Sequence, residues 1–415
     1  MDGLKEKSIV IVNHNAGSPH HGPNFRSYYA AKGWVGQGAT VTVVCSSFSH
    51  KLKNLPQFEG DYLFEWIDGI QYLWLKGPQF KGNAGRAKSF LVFWRQLRRL
   101  PELISGKVDF VLCSSPPPLW VSRCRRFAEL KNAKLIFEAR DLWPDVIIET
   151  SKSGKLNPLV WLMRQQEKLA YKTADAVVSV NWSAIKVMKK RGLEENKFFA
   201  ISNGASLHDS SNRPSSIGPL EIAEAKHDFL VGYSGALSRV YLIHHFLEAS
   251  RILEKEGIGF VLIGTGPLAS AAQNSQNFQK NLYTTGWIDK KNLSFALSKL
   301  SVCFTGLLDV PSFSYGSDST KLYEYMKASR PIIQAVRDDD AVVNQARCGI
   351  RVDPSGAESI AEGVLKLKEM KPWELAGLGA NGRKFLEEHR SEDAILSLWE
   401  RLFSELEKRD KESLI

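Results

Sequence analysis

Short and almost unbroken apolar runs recur along the chain, each followed by a longer stretch with helical periodicity. In the first half the runs are SIVIVN (8–13), TVTVVC (40–45), VDFVLC (108–113), KLIFEA (134–139), AVVSV (176–180) and KFFAIS (197–202). Helical stretches over 24–36, 86–104, 119–131, 157–172 and 182–191 lie between most of them. Runs that are continuous rather than alternating suit strands buried on both faces, so the pattern predicts a parallel sheet covered by helices. One segment departs from it. LFEWIDGIQYLWL alternates about Asp68-Gly69, which predicts a two-residue hairpin.

After ISNGASLHDSSNRPSSIG, rich in Ser, Asn, Gly and Pro, the pattern restarts. FLVGYSG (229–235), IGFVLIG (258–264), NLYTTGW (281–287), SVCFTGL (301–307), RPIIQAV (330–336) and CGIRVD (348–353) again read as strands with helices between, and a helical stretch over 391–410 follows. A chain of 415 residues exceeds one ordinary core, and about 200 residues per domain is the natural division. The expected class is therefore α/β, with two tandem doubly wound Rossmann-like domains facing across a cleft. Residues 1–204 form the first domain, 205–226 a linker and 227–390 the second domain. Residues 391–415 form a terminal helix expected to pack back toward the first. Sheets of this kind bind ligands beyond the carboxyl ends of their strands.

Composition narrows the picture. The chain is 43% apolar and 24% charged, as globular proteins are. No secretory leader is expected, and no stretch approaches the ~18 apolar residues of a spanning helix. Cys45, Cys113, Cys124, Cys303 and Cys348 show no metal-binding spacing and read as small buried hydrophobes in a reducing compartment, so a cytoplasmic protein is expected. A net charge of +10 calls for an anionic partner. KGNAGRAKSFLVFWRQLRRL (81–100) carries six basic and no acidic residues together with aromatic bulk. It reads either as a helix lying on an anionic membrane surface or as a core helix with a solvated basic edge. Nucleic acid is not expected as a partner, since no helix-turn-helix, zinc-finger or RNP pattern accompanies the charge.

The densest candidate chemistry is YGSDSTKLYEYM (315–326). Asp318 or Ser319 can cap a helix whose first amides, at Thr320 and Lys321, would face an anion. Lys321 adds a full charge there, and Glu324 could accept two hydrogen bonds from a vicinal diol. Two other strand ends agree. GYSGALSR places Gly235 and Arg239 after one strand, and LIGTGP places Gly264 and Gly266 after the next, where glycine admits close approach of a phosphate. His20-His21 and His244-His245 lack a third ligand at useful spacing, and the Asp-x-Asp of RDDDA (337–341) reads as a helix start, so no metal is expected. No G-x-S-x-G nucleophile elbow occurs.

Taken together, FEARDLWPD (137–145), SNGAS (202–206), LIGTGP, TGWIDKKNL (285–293) and STKLYEYMKASRPII (319–333) resemble the family-four retaining glycosyltransferases of the GT-B fold over essentially the whole chain. The likeness is strongest to the bacterial polysaccharide and lipopolysaccharide branch, which IDGIQYLWLKGPQFKGN (67–83) and GPNFRSYYAAKGWVGQGATVTVV (22–44) also match. The resemblance implies Glu324 on the ribose hydroxyls of the donor. The partner carboxylate of the family signature, eight residues earlier, falls on Gly316, so backbone amides over 316–318 would take its place. Arg239 matches the family's diphosphate arginine, while VYLIHHF after it supplies no matching lysine, leaving Lys321 for the remaining charge. Arg140 stands where many relatives have a histidine that contacts the donor sugar, with Asp141 to orient it. A buried Arg–Asp structural pair is the other reading of those two. Gly17, Gly22 and Arg26 match the first glycine-bearing loop, expected near the acceptor phosphate or the donor. Trp287 and Ile288 are expected near the base.

The implied activity is metal-independent transfer of a sugar, with retention, from a nucleotide diphosphate sugar to a lipid-linked saccharide acceptor, in the cytoplasm and peripherally on the inner face of its membrane. A nucleotide-sugar 2-epimerase shares the architecture and donor site. A catalytically silent subunit that binds a lipid carrier or another transferase fits the missing carboxylate.

Overall fold

The computed structural model describes residues 4–413 apart from 50–51, 151–153, 155–156, 208–215, 317 and 339. It divides into two compact units, one of Met1–Ser202, Tyr315–Ser317 and Ile395–Ile415, the other of Asn203–Ser314 and Asp318–Ala394.

The first unit is built on eight strands: β1 (Ser8–Val12), β2 (Thr40–Ser46), β3 (Tyr62–Ile67), β4 (Ile70–Leu75), β5 (Phe110–Ser114), β6 (Lys134–Ala139), β7 (Ala176–Ser179) and β8 (Phe198–Ala200). They lie in the order β3-β4-β2-β1-β5-β6-β7-β8. Every pair is parallel except β3 with β4, the hairpin, whose turn residues Asp68 and Gly69 have φ of 50° and 78°. Positive φ at both central positions gives the turn twist that suits a hairpin, and an Asp-Gly pair adopts it at little cost. Alternate residues of β1 feed opposite faces, Val10 and Val12 one apolar core, Ile9 and Ile11 the other. The second core is closed by Trp399, Leu402, Phe403 and Leu406 of the last helix, Glu392–Ser413, with Trp34 edge-on to Trp399 at 5.3 Å.

The basic segment forms a helix over Gly82–Gln96 and a short 3-10 turn over Leu97–Arg99. Phe90, Phe93 and Leu97 are buried in the core while Arg95 and Arg98 are exposed. Of the two readings, the core helix with a basic edge describes its packing, because the aromatic side chains face inward.

The second unit is a sheet of six parallel strands, β9 (Phe229–Ser234), β10 (Ile258–Ile263), β11 (Leu282–Gly286), β12 (Val302–Gly306), β13 (Ile332–Ala335) and β14 (Gly349–Val352), ordered β11-β10-β9-β12-β13-β14. The winding direction reverses between β9 and β12, the position where a ligand crevice forms in such sheets. One expectation is corrected. The linker assigned to 205–226 contains a helix, Gly218–Lys226, that packs on β10 and β11 through buried Leu220 and Ala223. Pro219 at its start and apolar residues three apart suffice for a helix of this length once a sheet covers one side. The Ser- and Asn-rich residues just before it, partly outside the described residues, dominated the composition there. All five cysteines are buried free thiols. Among the described residues no helix is long and apolar enough to cross a membrane.

Candidate functional site

Beyond the carboxyl end of β9 the second unit brings its candidate residues together. Gly235, at φ 127°, donates its amide to the Ile263 carbonyl at 2.8 Å, and Leu237 donates to the Thr265 carbonyl at 3.0 Å. The turns after β9 and β10 thus lie against each other. A Cβ on Gly264 would stand 2.0 Å from the Gly235 carbonyl oxygen, so only glycine fits there. A Cβ on Gly235 would meet Lys321 Cε at 2.5 Å, which places the lysine stem directly under that turn.

Lys321 lies in the first turn of the helix Thr320–Lys327. Its Nζ sits 3.4 Å from the ring centroid of Tyr241 and 5.5 Å from that of Tyr233. No carboxylate pairs with it among the described residues. Burial pushes its pKa down to about 8. Two aromatic faces hold the cation by their quadrupoles and leave its charge uncompensated. Ser319 occupies the N-cap without a side-chain hydrogen bond. Asp318, beside it, bonds to Tyr323 and Asn203. Its Oδ1 accepts the Tyr323 hydroxyl at 2.6 Å, its Oδ2 accepts the Asn203 amide at 2.6 Å, and its carbonyl accepts from Asn203 Nδ2 at 2.8 Å. Ser319 therefore leaves the first-turn amides without the usual N-cap acceptor, and Thr320 is exposed. Glu324, one turn further, is 26% exposed and lies 3.6 Å from Lys290 Nζ, at the start of the helix Lys290–Ser298. It faces solvent, not the core. Arg239 is exposed in the turn Arg239–Tyr241. Trp287 is 62% exposed just past β11, with Ile288 half-buried beside it. Gly316 ends a short helix, Pro311–Gly316.

The first unit groups a different set at the ends of β5, β6 and β8. Glu138 is 2% exposed, and its Oε1 accepts from Arg26 Nε at 2.8 Å and its Oε2 from the Ser114 hydroxyl at 2.5 Å. Arg26 also donates Nη1 to the Ser202 carbonyl at 2.8 Å and Nη2 to the Ile201 carbonyl at 2.7 Å. Burial alone would raise the Glu138 carboxyl. Arg26 and Arg140, with the Ser114 hydroxyl, outweigh it and hold the group below its usual range. Arg140 follows β6, half-buried. Burial lowers its pKa, opposed by Glu138 and Asp141 and reinforced by Arg26, yet an arginine remains charged throughout. Glu138 and Asp141 thus act on its guanidinium as charges, with no hydrogen bond to it among the described residues. Gly17 lies against its own loop, a Cβ there falling 2.2 Å from the Gly22 carbonyl oxygen, with Gly22 at φ 129°.

The Glycosyltransferase Family 4 model matches residues 22–209, and the Glycosyl transferases group 1 model matches residues 228–369. The chain belongs to the glycosyltransferases. No curated protein sequence matches this glycosyltransferase. Solved structures do, across nearly all of both chains. Anabaena Alr3699/HepE, in complex with UDP and glucose, superposes with a TM-score of 0.67 at 12% identity, over 96% of this chain and 100% of that one. Sucrose-phosphate synthase from Thermosynechococcus elongatus gives 0.73 at 16% identity, over 97% and 100%. A trehalose-6-phosphate structure from E. coli, bound with UDP-2-fluoro glucose, gives 0.72 at 12% identity, over 96% and 99%. These likenesses are of fold, and the fold is GT-B.

The glycosyltransferase keeps some sequence-derived candidates together and redirects others. Gly235, Lys321 and the start of the helix Thr320–Lys327 form one surface, with Glu324 a turn away. Arg26, expected to face a phosphate, spends Nε and both terminal nitrogens on Glu138 and two carbonyls, and so holds β6 to β8. Asp145, the last residue of FEARDLWPD, pairs with Arg191 at 2.6 Å and with Arg164, both of which also hold buried Glu167. Of RDDDA, Asp339 lies outside the described residues, and Asp338 accepts the Asp340 amide at 3.0 Å, closing a turn. Among the described residues no three His, Cys, Asp or Glu side chains are placed to hold a metal ion. Sequence reasoning missed Tyr233, Tyr241 and Lys290. Only the aromatic residues within and just after GYSGALSR signalled the first two, and nothing local signalled Lys290.

Proposed function

We propose that this glycosyltransferase moves a sugar from a nucleotide diphosphate sugar to a lipid-linked saccharide, with retention at the anomeric carbon, in cell-surface polysaccharide biosynthesis. The observation that carries the reading is Lys321, a cation desolvated under Gly235 and balanced by no carboxylate among the described residues. Such a group costs free energy until an anion meets it. The diphosphate of a donor supplies that anion at the β9–β12 reversal, with Arg239 and the first-turn amides of Thr320 and Lys321 completing its coordination. Glu324 then takes the ribose diol, displacing Lys290, and Trp287 with Ile288 lies toward the base. UDP in the structures of the two neighbours described with it agrees with this class of ligand.

In the reaction the bond from the anomeric carbon to the β-phosphate oxygen breaks, and a bond to the acceptor hydroxyl oxygen forms on the same face. The hydroxyl proton passes to the departing phosphate oxygen, so no protein nucleophile is required. Fixed cations stabilise the leaving charge, which is the larger part of such catalysis. Arg140 is assigned to the sugar hydroxyls or the departing phosphate, oriented by Asp141, and no metal is assigned a role. The exposed Arg95 and Arg98 edge is assigned to an anionic membrane on the cytoplasmic side, where the acceptor resides.

Two measurements test this. A thermal-shift panel of UDP-, GDP- and dTDP-sugars should give one class a clear stabilisation, since ligand at 100 times its Kd contributes ~2.7 kcal/mol. Radiolabelled donor incubated with a lipid extract should leave label in the lipid fraction. An epimerised donor, or no product from any sugar, would refute the transfer.

A further inference from the structure

We propose that Tyr241 is a positioning residue for the donor diphosphate, the face of its ring holding the Lys321 ammonium beside the end of β9 in place of a counter-ion; the proposal rests on the donor reading above. Lys321 Nζ stands 3.4 Å from the centre of that ring, and both residues are half-buried. Each partner is anchored to a different strand. The Ser234 amide at the end of β9 donates to the Tyr325 hydroxyl at 2.9 Å, which ties the helix Thr320–Lys327 to that strand. Lys321 precedes Tyr325 by four residues and so lies on the same side of the helix, with its stem against Gly235. The turn Arg239–Tyr241 is tied to β12, since the Leu308 amide just beyond that strand donates to the Val240 carbonyl at 2.8 Å. Leu242 then leaves the turn at φ 55°, a conformation that leucine holds only where packing enforces it, and its side chain is buried in the core of this unit. Ring and ammonium therefore meet where the winding reverses between β9 and β12.

The ring does what a carboxylate in its place would not. An ammonium has three N–H donors, and a carboxylate partner occupies some of them. A phosphate must then displace that carboxylate and leave it desolvated without a partner, at a cost. The ring face attracts the charge through its quadrupole and supplies no directed lone pair, so the donors stay available to phosphate oxygens. The surroundings keep this arrangement. Among the described residues Lys321 has no carboxylate partner and makes no hydrogen bond. Glu324, the acid one turn on, is turned toward Lys290 at 3.6 Å. Arg383, on the packed helix Pro372–His389, donates to the Lys327 carbonyl at 3.0 Å, at the other end of the helix that carries Lys321. On the turn's side stand Arg239, His244 and His245, none of them an anion. Tyr233 is the lesser support, its ring 5.5 Å away and its hydroxyl committed to the Ala236 carbonyl at 2.8 Å.

Calorimetric titration of the full chain with UDP, GDP and dTDP between pH 7 and 9.5 tests this, with thermal melting to follow the fold of each variant. For the nucleotide that binds, Y241L should weaken affinity about five- to thirtyfold at pH 7.5, the worth of a desolvated contact between cation and ring. Because the quadrupole favours the charged lysine, the pH at which affinity falls by half should also drop in Y241L, by about one pH unit. Y241F, the conservative variant, keeps the ring and should restore both. Y241E sets a carboxylate on the cation, and should melt no lower than the unmodified chain while losing affinity by more than about thirtyfold. A ring needed only for packing would give the opposite order, with Y241E the least stable variant and the pH midpoint unmoved. Should Y241L not fold, Y241F against Y241E decides alone. Equal affinity in Y241L, a midpoint unmoved or raised, Y241F failing as Y241L does, or Y241E unstable or still binding would each overturn the assignment and leave the donor reading intact. If the unmodified chain binds none of the three nucleotides, the donor reading fails and this assignment with it.

Discussion

Arg26 in the first unit and Lys321 in the second are both cations withdrawn from water, and they have opposite fates. Arg26 is satisfied within the chain, its nitrogens shared between a buried carboxylate and two strand-end carbonyls. Lys321 has two aromatic rings and, among the described residues, no counter-charge. A buried ion pair whose hydrogen bonds are complete has no capacity left for a ligand and fixes architecture. A desolvated charge left open has an affinity still to be used. Sequence alone ranks the two residues similarly, since both are basic positions at the start of a helix after a glycine-bearing loop.

The sharpest way to break the contrast is to remove Arg26. Arg26→Ala should destabilise the chain by about 3–5 kcal/mol in urea unfolding, because Glu138 would remain buried and unpaired. A loss below about 1 kcal/mol together with lost turnover would put Arg26 on the substrate side after all. Lys321→Met should do the reverse, raising the melting temperature by relieving a desolvated charge while lowering kcat/KM by at least ~2 kcal/mol. Glu324→Ala should cost a comparable ~2 kcal/mol of transition-state stabilisation, and near-normal turnover in both variants would remove the donor assignment.

Titration gives a smaller effect. Only the ammonium form of Lys321 pairs with phosphate, and its pKa in the free protein is about 8. Nucleotide affinity should therefore decline as pH rises above that value, and Lys321→Arg should flatten the decline, since a guanidinium keeps its proton. The smallest effect belongs to Lys290, 66% exposed beside Glu324. Lys290→Ala should alter stability by less than about 0.5 kcal/mol, as exposed pairs do, and a larger loss would show the pair to be structural.

How far these features were legible depended on their range. β1, β2, β9, β10, β12 and β13 are buried on both faces and announce themselves as largely apolar runs, and the Asp68-Gly69 hairpin as an alternating one. Gly235 and Gly264 were legible because glycines after a strand mark a close backbone approach. The helix Gly218–Lys226 was not, being short and overshadowed by its polar approach. Nor was the clamp on Glu138, whose partners Arg26, Ser114 and Ser202 lie far from it in the chain and adjoin it only where the parallel strands end together. Asp318 shows the limit most plainly. It has the chemistry of a helix cap, yet Tyr323 and Asn203 claim its carboxylate.

The sequence by itself determined the two doubly wound sheets and the chemistry available at their strand ends, because apolar run length and glycine placement are local and leave few alternatives. The tertiary structure alone decided which of those charges are spent. Compensation is a matter of which side chains meet in space, and the parallel strands of this chain bring together groups that lie more than a hundred residues apart, as Arg26 and Glu138 do.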